Sequence, residues 1–213
     1  MTKKGYIFDM DGTLIDSMPM WYSINEEFLT GMGVKFNDDI AREIGPLSVV
    51  AASDYLVKRF HLPVTARELT DAYMKLLHHK YKSVVTVKDG VRDFLQKCKE
   101  DGIPMCVATA TETPLALEAM EVHGLLPYME FLISCEDVGK SKREPDIYLE
   151  AARRLNLEPQ EAAVFEDVFY GAETAKKAGF SVVGVHDSMV AEEEAEALRQ
   201  ISDCYIRSFS ELL

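Results

Sequence analysis

Basic side chains are the scarce component of this chain of 213 residues: 23 Lys and Arg stand against 36 Asp and Glu, a formal net charge of −13. Nucleic-acid binders concentrate positive charge on one face, and this balance supplies no such footprint. An anionic ligand has to be attracted locally instead. Cysteine is sparse as well. Cys98, Cys106, Cys135 and Cys204 show no Cys-x-x-Cys spacing, which argues against structural zinc and against a disulfide framework. Cys106 and Cys135 fall in apolar, strand-like runs, as buried free thiols of a reducing compartment do. No apolar stretch approaches the length of a membrane helix, and the first strand pattern starts too close to Met1 to leave room for a signal peptide. The expectation is a cytoplasmic protein with neither a nucleic-acid nor a membrane partner. Its apolar share of 47% suffices for a buried α/β core plus a small insertion.

What the chain does have begins at residue 6. Tyr6-Ile7-Phe8, bounded by Gly5 and Gly12, fits a strand buried on both faces, as in a parallel sheet. It runs straight into Asp9-Met10-Asp11-Gly12-Thr13. A lone carboxylate there would cost several kcal/mol unless compensated, roughly the penalty for burying an unpaired polar group. Asp9 and Asp11 therefore need a partner, and Mg²⁺ suits them, since it binds through one or two carboxylates plus water and substrate phosphate. A strand-breaking turn would use the same residue types, so Asp-x-Asp alone is weak. Three further segments downstream strengthen it.

With those segments the chain resembles the haloacid dehalogenase-like (HAD) superfamily, in the β-phosphoglucomutase and phosphatase subgroup with a helical cap, over nearly its whole length. The family carries Asp-x-Asp-x-Thr at the end of the first strand, and Thr13 completes that pattern. A Thr or Ser ends the next core strand, which Ile103 through Thr109 supplies. A Lys precedes Pro-Asp and a helix, matched by Lys142-Arg143-Glu144-Pro145-Asp146. Arg143 stands where relatives often have Pro, and Lys140 competes with Lys142 at a spacing two residues longer. An acidic pair closes a later strand, matched by Glu166-Asp167 followed by Gly171 and Ala172. Val168 replaces the usual Ser after that pair and removes a hydroxyl from beside the metal.

The resemblance implies roles. Asp9 is the expected nucleophile and Asp11 the expected general acid and base. Thr109, the backbone of Ala110 and Lys142 are expected to hold the phosphate. Mg²⁺ is expected on Asp9, the carbonyl of Asp11, and Asp167, with Glu166 supporting it directly or through water. The implied function is a Mg²⁺-dependent phosphatase that hydrolyses a small phosphorylated metabolite, a sugar or polyol phosphate, through an aspartyl-phosphate. The alternatives are a mutase of the β-phosphoglucomutase type and a non-catalytic phosphometabolite-binding protein. A mutase of that type needs a cap Arg and a cap His for its second phosphate, and the aligned positions here are Ser48 and Trp21; Arg42 and Lys58 are the only substitutes in view.

Elsewhere strands alternate with helices, the mark of βαβ units around a Rossmann-like parallel sheet. The α/β core is expected over 1–17 and 84–213. The interval 18–83 carries no strand pattern and reads as an α-helical cap domain. Within it Thr65-Ala66-Arg67-Glu68 spells a capping box. Helices are expected over 91–100, 114–123 and 145–155, and the fifth and last strand at Ser181 to Val185. His78-His79 reads as surface, having no acidic or Cys partner at metal spacing, and Glu192 to Glu196 as the solvated face of a helix. Met18, Met20 and Trp21 fit either cap packing or the substrate entrance. A monomer or small homo-oligomer is expected.

Overall fold

Strand β1, Gly5–Phe8, lies at the middle of a six-stranded sheet in the computed structural model, which describes residues 3–213. All four of its residues are buried. The chain then makes a short strand β2 (Ile15–Asp16) and four helices, α1 (Met18–Gly31), α2 (Asp38–Ile44), α3 (Val49–Phe60) and α4 (Ala66–Ser83), before returning through β3 (Thr86–Val87). There follow α5 (Val91–Glu100), β4 (Met105–Thr109), α6 (Thr113–Val122), β5 (Phe131–Ser134), α7 (Cys135–Val138) and α8 (Asp146–Arg154). The chain finishes with β6 (Ala162–Glu166), α9 (Phe169–Lys177), β7 (Ser181–Val185), α10 (Glu192–Ile201) and β8 (Cys204–Ile206).

The large sheet has the order β5-β4-β1-β6-β7-β8 with every pair parallel. Side-chain alternation along β1 divides its burial between two faces. Tyr6 and Phe8 join Phe94, Phe165 and Phe209 on one face, where the Phe8 and Phe165 rings lie 4.6 Å apart between centroids. Ile7 packs with Cys106, Ala108, Ile147 and Val164 on the other. Cys98, Cys106 and Cys135 are buried free thiols, and Cys204 is half-buried.

Register decides where the chemistry goes. Phe8 is level with Val107 of β4 and with Phe165 of β6. Asp9, Thr109 and the pair Glu166-Asp167 therefore emerge at the same carboxyl edge, where ligands bind in open α/β sheets.

Three of the four helices between β2 and β3 start at side-chain caps: Asn37 accepts from Ile40 N–H, Ser48 from Ala51 N–H, and Thr65 and Glu68 form the capping box expected from sequence, whereas Ser17 before α1 makes no such bond. The antiparallel pair β2 and β3, which joins the exit and return of the insertion through Ile15 with Val87 and Asp16 with Thr86, was not among the expected elements. Neither was β8, a sixth core strand parallel to β7 where five strands were expected. Two or three residues are too few for a periodic pattern to register. α7, a single turn capped by Ser134, was missed for the same reason. No helix of the described residues is long and apolar enough to cross a membrane.

Candidate active site

The loop after β1 turns sharply because Gly12 takes φ +81°, and it also passes so close to β6 that a Cβ on Gly12 would sit 2.1 Å from Asp167 Oδ2. Glycine is required there on both counts. The tight approach gathers Asp9, Glu166 and Asp167, each with a carboxylate oxygen within 4.8 Å of the others'. All three are buried. Lys142, 2% exposed, reaches in from the loop before α8. Its ammonium donates to Asp9 Oδ1 and, at 2.7 Å, to Glu166 Oε1. Lys140 is excluded from the cluster: it is exposed and pairs with Glu144 at 3.2 Å.

Three carboxylates around one ammonium leave a deficit of positive charge. Burial pushes Asp9 up to about 7, Lys142 pulling the other way and Glu166 adding to the rise. Burial, then Asp9 and Glu166, hold Asp167 far above the usual carboxylate range. Burial works against the charged form of Lys142, but the two carboxylates outweigh it and raise its pKa. Two buried oxygens, Glu166 Oε2 and Asp167 Oδ2, have no hydrogen-bond partner at all. Unpaired buried carboxylate oxygens facing one another are expensive. A hard divalent cation with oxygen ligands answers both the charge deficit and the orphaned atoms, so the residues present fit Mg²⁺.

The acidic cluster is held from behind. Thr13 donates to Asp167 Oδ1 at 3.1 Å, and Tyr148, on α8, donates to Glu166 Oε1 at 2.7 Å. Gly171 on α9 makes room for this, since a Cβ there would lie 2.9 Å from the Glu166 carboxylate and from the Tyr148 hydroxyl. α9 has no side-chain N-cap, its capping position being Val168.

Asp11 is disposed differently. Ser17 (2.6 Å), Trp21 Nε1 (3.3 Å) and Tyr81 (2.7 Å) donate to its Oδ1, and Thr111 (2.7 Å) to its Oδ2. Its side chain is not among the three clustered carboxylates. Of these donors sequence reading singled out only Trp21, and that for another reason. Ser17 closely follows the motif and could have been found there, as Thr13 within it was. Tyr81, Thr111 and Tyr148 are far from it in sequence and carried no signal.

Asp9, Asp11, Thr109, Ala110, Lys142 and Asp167 open together into a cavity of about 620 Å³ roofed by α1, α2 and α3. Thr109 Oγ1 accepts from Thr111 N–H at 3.1 Å, which shapes the loop after β4. Most of the roof is apolar, with Met18, Tyr22, Phe36, Leu47 and Val49 among its walls. Met20 packs in the core whereas Met18 and Trp21 line the cavity, so the apolar cluster of α1 divides between its two expected roles. Of the two substitute cations, Arg42 lines the cavity but pairs with Asp39 at 2.6 Å, and Lys58 lies outside it, paired with Asp54 at 2.6 Å. His78 does have an acidic partner: its Nδ1 bonds to Glu118 of α6, as does Lys82, so α4 is tied to the core by a contact that spacing within α4 could not reveal.

A parallel sheet presenting buried carboxylates and a lysine at its carboxyl edge, beneath an inserted helical roof, is the arrangement of a class of α/β hydrolases. Residues 6–185 match the family model of the haloacid dehalogenase-like hydrolases, and the chain belongs to that family. It is 30% identical over 191 residues to a phosphorylated carbohydrates phosphatase of Thermotoga maritima, covering 87% of each chain. It is 32% identical over 196 residues to a validoxylamine A 7'-phosphate phosphatase of Streptomyces hygroscopicus, covering 91% of each. Among solved structures, CbbY of Rhodobacter sphaeroides in complex with phosphate superposes with a TM-score of 0.83 at 22% identity, over 99% of this chain and 96% of that one, a likeness of fold.

Proposed function

We propose that this phosphoric monoester hydrolase acts on a small phosphorylated sugar or polyol, with Mg²⁺, through a phosphorylated Asp9. The observation that carries this reading is the buried trio Asp9, Glu166 and Asp167, with two orphaned oxygens and the Lys142 ammonium bonded to Asp9 and Glu166, at the floor of a largely apolar cavity. Bound Mg²⁺, held by Asp9, Asp167 and the carbonyl of Asp11 with Glu166 beside them, would supply the positive charge that lets two anions meet in a poorly hydrated site.

The chain's own groups do the rest. Lys142 opposes the effect of burial on Asp9 and so favours the ionised carboxylate that a nucleophile requires. An Asp9 oxygen attacks phosphorus in line, the bond from phosphorus to the ester oxygen breaks, and Asp11 protonates the departing alcohol. Water then attacks the phosphorus, Asp11 takes its proton, and Asp9 is released with inorganic phosphate. Thr109, the Ala110 amide and Lys142 hold the equatorial phosphate oxygens. Residues 18–83 act in this reading as a cap domain over the core formed by 3–17 and 84–213, the span 1–2 of the expected core lying outside the described residues.

Relatives named for phosphorylated carbohydrates and for validoxylamine A 7'-phosphate support polyhydroxylated substrates. The test is release of phosphate from a panel of sugar and polyol phosphates with Mg²⁺ and with excess chelator. Turnover of sugar or polyol phosphates above phosphoglycolate and nucleotides, lost on chelation, is the expected result. Indifference to chelator, or preference for a nucleotide, would contradict it.

A further inference from the structure

α3 forms part of the cavity wall, and its first residue is bonded to a carboxylate that the reaction does not use. Glu112, in the loop that follows Thr109, Ala110 and Thr111, is 5% exposed. Its Oε1 accepts from the N–H of Val49, the first residue of α3, at 2.9 Å. The positive end of this twelve-residue helix is where a second phosphate would find free N–H groups and a favourable dipole, and a protein carboxylate already occupies it. Ser48 satisfies the amide of Ala51 in the same turn. The other oxygen of Glu112 is buried without any partner. Thr111, its neighbour in sequence, and Val49, its hydrogen-bond partner, both line the cavity, so the carboxyl lies beside the wall; burial raises its pKa, and the backbone N–H groups of this turn pull it back toward the charged form.

The remaining charged groups lining the cavity, on α2 and α10, lean the same way. Asp38, Glu193 and Glu194 line it, while Arg42 is paired with Asp39 and Arg143 lies over the Tyr170 ring at 5.0 Å from its centroid. We infer that Glu112 is a specificity-determining residue that rejects substrates bearing a second phosphate, so that the enzyme takes sugar or polyol monophosphates and refuses the corresponding bisphosphates. The inference rests on the phosphatase reading above. It also accounts for hydrolysis instead of mutation, because a bisphosphate that cannot seat its distal phosphate cannot turn around in the site.

The test compares kcat/KM for a hexose monophosphate and for the bisphosphate of the same hexose, in the wild-type enzyme and in Glu112→Gln. The Gln variant keeps an acceptor for the Val49 amide and removes the charge. Like charges brought together at a binding surface cost several kcal/mol, so the wild-type preference for the monophosphate should be about 100-fold or more. In Glu112→Gln the ratio should shrink at least about tenfold. The ratio cancels any general loss from a loosened α3, and Glu112→Lys, if it folds, should shrink it further. Equal kcat/KM for both substrates in the wild type overturns the inference without recourse to a variant. So does an unchanged ratio in a folded Glu112→Gln. If no monophosphate is hydrolysed at all, the phosphatase reading fails separately, and calorimetric binding decides this one: the bisphosphate should bind more weakly than the monophosphate to wild type, and a tighter bisphosphate would refute it.

Discussion

The Tyr81 hydroxyl donates a 2.7 Å hydrogen bond to Asp11 Oδ1, tying the last turn of α4 to the loop after β1 across 70 residues of sequence. Burial and the Asp11 carboxylate raise the Tyr81 phenol well above its ordinary range, so it serves as a donor. If Asp11 is the proton donor, this contact orients it.

Tyr81→Phe removes that donor and keeps the ring, which lies edge-on to Trp21. A hydrogen bond to a charged group is worth about 1.5–3 kcal/mol, so kcat on an alkyl phosphate should fall roughly 10- to 100-fold. An aryl phosphate, whose leaving group needs little protonation, should lose far less. Equal losses on both would show that Tyr81 does not act through the proton donor.

Gly12→Ala combines strain and collision, because φ is +81° and the new methyl would lie 2.1 Å from Asp167 Oδ2. The backbone cost alone is about 1–3 kcal/mol. Thermal unfolding should show a lowered Tm, and Mg²⁺ titration a weaker affinity, because Asp167 must move. A variant with wild-type Tm and wild-type Mg²⁺ response would contradict the geometry of this turn.

The raised pKa of Asp9 has a consequence for metal-free stability. The folded chain, with Asp9 at about 7, retains a proton that an ordinary unfolded carboxyl releases near about pH 4. Folded protein binds more protons in this window, so the group's contribution is favourable below about pH 4 and is lost as pH rises through about 7. Asp167 acts in the same direction. Relative to Asp9→Asn, the wild type in chelator should lose Tm steadily from about pH 4 to about pH 7, and saturating Mg²⁺ at pH 7 should restore it. A wild-type Tm that gains on Asp9→Asn over that window would give the shift the wrong sign.

Lys142→Met removes the ammonium that bonds to both Asp9 and Glu166. Breaking a buried pair by deleting one partner costs about 3–5 kcal/mol, reduced here because the raised carboxyls can take up protons. Chelated protein should therefore show a clearly lower Tm, with part of the loss recovered at lower pH. Unchanged stability would mean that Lys142 neutralises nothing.

The parallel core and the helical insertion were legible because their signals are local: a buried apolar run before each acidic or threonine terminus, and an interval without strand pattern that holds the Thr65 capping box. Asp9, Thr109, Lys142, Glu166 and Asp167 were named from the family motifs they match; β-sheet register brings Asp9, Thr109 and the acidic pair to one edge, and Lys142 reaches it from the loop before α8. The support around them was not. Tyr81 and Tyr148 look like core aromatics in sequence, and only tertiary packing turns their hydroxyls toward Asp11 and Glu166. Glu112 carried no signal in sequence, since its partner, the Val49 amide, lies 63 residues away. Strands β2, β3 and β8 were invisible for want of length.

The role of Asp9 is tested most directly by intact-mass measurement of the covalent phosphoenzyme, with an aryl phosphate and Mg²⁺, on Asp11→Asn and on Asp9→Asn. Asp11→Asn keeps the nucleophile and loses proton transfer, a contribution of about 10²- to 10⁴-fold, so it should accumulate a single phosphate adduct that peptide mapping places on Asp9. Asp9→Asn should show no adduct with any substrate. An adduct on Asp9→Asn, or one mapped to any other residue, would contradict the assignment of Asp9 as nucleophile.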